Sequence, residues 1–92
     1  MQNAWTRAQH QLELQMDTAS FYQGPQRAVL VDFEPETNTF VLVAPHAFSR
    51  DMLRYRLERM IKRVLGDVYG QPVEFRCLLK EEWLDRAGEG AA

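Results

Sequence analysis

Cysteine is nearly missing from this chain: Cys77 stands alone among 92 residues. Neither an internal disulfide nor a cysteine-based zinc site can form from it. It sits in an alternating apolar run and reads as a small core residue. No apolar run approaches the ~20 residues that cross a bilayer, and the polar N-terminus lacks the pattern of a secretory signal. A soluble, cytoplasmic protein with no membrane partner is expected. No Gly-x-x-x-x-Gly-Lys-Ser/Thr loop occurs, which excludes a P-loop ATP-driven machine. Excess charge of one sign is also missing: the formal net charge is −2, so whole-molecule electrostatics favour no nucleic-acid or membrane class. His10 and His46 have no metal or nucleophile partner nearby in sequence, and Asp51, Glu58 and the acids around Pro35 make no spaced acid–base pair. The reading is a non-enzyme with no cofactor, no metal and no small-molecule substrate.

What is present suffices for one folded domain. Hydrophobic residues make up 46% and charged residues 26%, ordinary globular proportions. A unit of this size buries roughly 60% of its unfolded surface, enough for a modest core but not for a deep cleft. Trp5, Ala8, Leu12, Met16 and Ala19 recur at spacings of three and four, the mark of a helix with one buried face. Asp17-Thr18 offers a cap for a short second helix through Phe21 and Tyr22 that Gly24-Pro25 ends. Arg27–Phe33 alternates as a strand, with Val29, Val31 and Phe33 on one side and Leu30 and Asp32 on the other. Glu34–Asn38 is turn chemistry, and Thr39–Ala44 is a second strand, so the two form an antiparallel hairpin.

After Pro45 a long amphipathic helix is expected to run to about Tyr69. At about 100° per residue, Leu53, Leu57, Met60, Ile61, Val64 and Val68 form one apolar stripe that must lie on a sheet. Phe48, Met52, Tyr55 and Arg59 fall in a row on the opposite side, beside Arg56, Lys62 and Arg63. Apolar groups among charges on an outer face make this row the candidate protein interface. Pro72 precedes a third strand, Val73–Leu79, whose neighbour in the sheet periodicity leaves open. Residues 1–80 then form the interaction domain, and residues 81–92, rich in Gly, Ala and Glu, read as a flexible tail or the start of a linker. The fold class is α+β, in the order helix, helix, strand, strand, helix, strand, with helices packed on a three-stranded sheet.

The string Ala44-Pro45-x-x-Phe48-x-Arg50-Asp51-x-Leu53, after a hairpin and with Trp5 on the first helix and Phe21 on the second, resembles the N-terminal domain of the bacterial chromosomal replication initiator DnaA. The resemblance runs from Trp5 to about Leu79. It implies a KH-like fold and a non-catalytic adaptor in DNA replication initiation that self-associates and docks the replicative helicase or a regulator of initiation. Carried over by position, Trp5 would be the self-association residue of a weak homodimer and Phe48 the helicase-contacting aromatic. Ser20, Gly24 and His46 depart from the family, where an acidic residue, a tryptophan and an asparagine are usual.

A rival reading uses the basic side of the long helix. Arg56, Arg59, Lys62 and Arg63 would hold phosphates of single-stranded nucleic acid without reading sequence, with Tyr55 or Phe48 stacking on bases. Against it, the Gly-x-x-Gly loop by which KH domains clamp nucleotides is absent.

Overall fold

The computed structural model describes the backbone of residues 1–91 and side chains as far as Arg86. Helix α1, Gln2–Gln15, is followed by α2, Thr18–Gln23, a 3-10 turn at Pro25–Arg27, and the strands β1, Val29–Glu34, and β2, Thr39–Ala44. Helix α3, Ala47–Asp51, leads into a π-helical segment, Met52–Arg56, and then α4, Glu58–Tyr69. Strand β3, Glu74–Leu79, and helix α5, Lys80–Ala91, complete the described chain. The α+β class and the helix-helix-strand-strand-helix-strand order hold, with the expected long helix divided into α3 and α4 and a further helix, α5, after β3.

The sheet has the order β1-β2-β3. The hairpin strands are antiparallel, and β3 lies parallel to β2, which resolves the neighbour that periodicity left open. β2 is central because every residue on it except Val43 is buried. Trp5, Ala8 and Leu12 of α1, Leu53 of the π segment and Ile61, Val64 and Leu65 of α4 close over Leu30, Phe40, Leu42, Ala44 and Cys77 on one face. Gly70, with φ of 89°, ends α4 in the left-handed conformation that spares glycine a Cβ clash, and its N–H bonds the Gly66 carbonyl at 2.8 Å.

Three local departures from the sequence reading matter for function. In β1 the register shifts between Leu30 and Asp32. The extra residue of a β-bulge, Val31, breaks the period of two, so Leu30 and Phe33 both face the core while Val29 is left exposed. The long helix is also interrupted: the Leu57 N–H bonds the Met52 carbonyl, a five-residue step, and Leu57 sits at φ −112°, ψ 5°. Such a π turn inserts one residue and widens the helix locally; within it Met52 turns inward and is buried beside Leu53.

The third departure is at the C-terminal end. Residues 80–91 form α5 where a flexible tail or linker was expected from residue 81. Its start is organised by Glu82, whose Oε1 accepts from the Leu79 N–H at 2.8 Å and from Arg50 Nη1 at 3.2 Å. α5 then contacts β2 and β3. It covers the sheet face turned away from α1 and α4, where Val41 is completely buried and Arg86 and Arg76 converge on Glu34 at 3.3 and 3.4 Å. The Gly, Ala and Glu composition hid this because the side chains seen to tie α5 down, Glu82 and Arg86, are only two residues in twelve.

Candidate interaction surfaces

The sequence-predicted row of interface residues is split by the fold. Trp5 is 2% exposed, and its indole Nε1–H donates to the Ala28 carbonyl at 3.0 Å inside the core. It joins α1 to the start of β1 and presents no surface, which corrects its assignment as a self-association residue. Met52 is likewise a correction. It packs over Gly24, where an added Cβ would lie 3.1 Å from its Sδ. Gly24, having no Cβ, therefore leaves the space that Met52 fills.

Phe48, Tyr55 and Arg59 do stand in solvent, with Phe48 56% and Tyr55 73% exposed. The two aromatics face different environments. Phe48 lies in the first turn of α3, with the His46 ring 6.4 Å away. α3 is held firmly: His46 Nδ1 accepts from the Ser49 N–H at 3.3 Å, and the buried Ser49 hydroxyl donates to the Gln23 carbonyl of α2. Phe48 is thus an exposed aromatic on a fixed backbone. Tyr55 instead lies on the π segment, with the Arg54 guanidinium 5.8 Å from its ring centre. It walls a groove of about 290 Å³ between the helix and β3, together with Arg54, Glu58, Lys62 and the strand residues from Glu74 to Leu78. Arg54, Glu74 and Phe75 had not been singled out; only the side on which β3 joins the sheet brings them together.

The basic set is partly consumed within the domain. Lys62 Nζ lies 3.0 Å from Glu74 and 4.0 Å from Glu58, and Arg63 Nη2 donates to Gln15 Oε1 at 2.7 Å. Arg56 is exposed on the side of Asp17, and Arg59 is exposed. Surface pairs of this kind are weak, but they leave a mixed rather than a uniformly positive face.

Burial pushes the Cys77 thiol up to about 12, so it stays neutral and unreactive. Among the described residues no three His, Cys, Asp or Glu side chains group as a metal site, and no helix is long and apolar enough to cross a membrane. Two carboxylates are held below their ordinary range, Asp17 chiefly by the Ser20 N–H that it caps and Glu82 chiefly by the Leu79 N–H. A lowered folded pKa gives stability that is present above the unfolded value and lost as pH falls through the folded one. The melting temperature should therefore hold down to about pH 4.5, the ordinary value of Glu82, and decline below it. Asp17→Asn with Glu82→Gln should flatten that decline, as thermal melts from pH 6 to 3 would register.

No protein-family model matches the chain.

Proposed function

We propose that this chain is a non-catalytic protein-interaction module of the replication-initiator N-terminal type, acting in the cytoplasm by docking a replicative helicase or a regulator of initiation. Its resemblance to the DnaA N-terminal domain motivates the reading. The observation that carries it is Phe48: a large aromatic, more than half exposed, on a helix fixed to both the hairpin and α2. Burying one aromatic side chain in a partner's pocket is the usual core of a small interface. Holding it on an ordered backbone removes part of the ordering cost. Any self-association belongs elsewhere than on Trp5.

Phe48→Ala should lower affinity for the replicative helicase of the same cell by roughly tenfold or more while leaving the melting temperature within about 2 °C, because the ring makes little contact within the domain. Surface plasmon resonance with purified helicase reads the first quantity and circular dichroism the second. Unchanged affinity would remove Phe48 from the interface. The single-stranded nucleic-acid reading keeps one support, the exposed Arg56 and Arg59 beside Tyr55. It predicts binding that falls steeply with salt and is abolished by reversing both charges.

A further inference from the structure

The π turn that closes at Leu57 forms one wall of a second groove, of about 280 Å³, whose other wall is the turn between α1 and α2. Met16 and Asp17 come from that turn, Met52, Arg56 and Leu57 from the π segment and its cap, and Met60 from the first turn of α4. Met16, Leu57 and Met60 are half-buried, and Met52 is buried among them. Gly24 packs against Met52, and its missing Cβ lets that side chain sit low. Single π turns recur at functional sites, and methionine side chains line adaptable docking surfaces. Here the helix gives up its regular bonding where the groove opens.

Beside this apolar hole stands an apolar knob. Leu14, in the last turn of α1, is 80% exposed, the highest value among the large apolar side chains described, and it adjoins Gln15, which lines the groove. A lone exposed leucine is ordinary; its place next to the groove is what carries meaning. The charges match as well. Among the described residues Glu13 has no cation within ion-pair distance, and Arg56 on the rim has no carboxylate. Asp17, the acid on the same rim, is committed to its own helix, where Oδ2 accepts from the Ser20 N–H at 3.0 Å. We infer that the groove receives Leu14 of a second copy of this chain, across a two-fold axis, with Glu13 of each copy reaching Arg56 of the other. Knob and hole adjoin one another, so the contact closes at two copies instead of propagating. The patch is small, which makes the dimer weak and dependent on concentration. This surface is distinct from buried Trp5, and the inference does not rest on helicase docking, because Phe48 lies on α3, outside the groove.

The test is sedimentation equilibrium of the full chain up to millimolar concentration, with methyl spectra of the labelled methionines recorded over the same range. A monomer–dimer equilibrium is expected, with the Met16 and Met60 methyl signals moving as the dimer forms. Leu14→Ala should raise the dissociation constant roughly tenfold or more and hold both signals at their monomer positions. Its melting temperature should match the parent's, because the side chain is exposed. Glu13→Arg and Arg56→Glu should each weaken the dimer about three- to fivefold, the range of a surface ion pair, and the double variant should restore it. A purely structural role for either residue gives no such rescue. Phe48→Ala should leave the dimer unchanged, and Leu14→Ala should leave helicase binding unchanged. A chain that stays monomeric at millimolar concentration would overturn the proposal and leave the groove to a different protein. So would a dimer indifferent to Leu14→Ala, a charge swap without rescue, or oligomers that grow beyond two copies.

Discussion

Trp5→Ala should cost the domain most of its stability rather than one of its contacts. Truncating a fully buried aromatic leaves a cavity and loses the transfer energy of the ring, together about 3–5 kcal/mol. Here it also strands the Ala28 carbonyl, which accepts the indole N–H at 3.0 Å, and an unsatisfied buried acceptor costs about 1–3 kcal/mol. Domains of this size have net stabilities near the low end of about 5–15 kcal/mol. The mutant should therefore melt at least about 15 °C lower, at roughly 4–8 °C per kcal/mol, or fail to fold cooperatively. Trp5→Phe isolates the hydrogen bond, since it keeps much of the packing and should fall between the two. Thermal melts followed by circular dichroism and near-ultraviolet signal would decide it. A Trp5→Ala protein that melts like the parent would place the indole at a surface and restore the self-association role.

Much of the fold was readable from periodicity because it depends on one-face burial. The α1 residues Trp5, Ala8 and Leu12 are all buried, as are Leu53, Ile61 and Val64 of the long-helix stripe. The Asp17 cap on α2 and the hairpin also lie where turn and cap chemistry place them. What failed were the face assignments of a few residues beside breaks in the period. One extra residue at Val31 and one in the π turn before Leu57 each reset the phase, and the residues on the far side changed face: Val29 outward, Met52 inward. Those resets are tertiary in origin. Met52 is turned toward the gap over Gly24, a contact 28 positions away that no local window contains.

The candidate site suffered in the same way. Phe48 precedes the π turn and retained its exposure, so two separate lines, outward position and resemblance, still meet on it. Tyr55 lies within the turn and was carried from Phe48's neighbourhood to the β3 groove. The groove beside β3 had no local signal at all, because it exists only once β3 has joined the sheet beside β2 rather than β1.

A chain ending at Leu79 should be destabilised on the order of 3 kcal/mol even though it contains every element expected from the sequence. Val41, fully buried on the sheet face opposite α1 and α4, would be exposed when α5 is removed, and full burial of such a side chain stabilises by about 1.5–3 kcal/mol. Trp83 adds its own half-buried surface. The Glu82 carboxylate that bonds Arg50 and the Leu79 N–H would also be lost, though exposed pairs of this kind contribute little. Urea denaturation of the two chains compares the midpoints directly. Coupling to Val41 distinguishes a specific cover from a general loss of chain: Val41→Ala should cost about 2 kcal/mol in the full chain and well under half of that after truncation, because the cavity exists only while α5 closes it. Equal costs in both backgrounds, or an unchanged midpoint on truncation, would mean that α5 does not hold this face. In that case the outer side of the sheet, with Val29 already 57% exposed, would be open along its whole length.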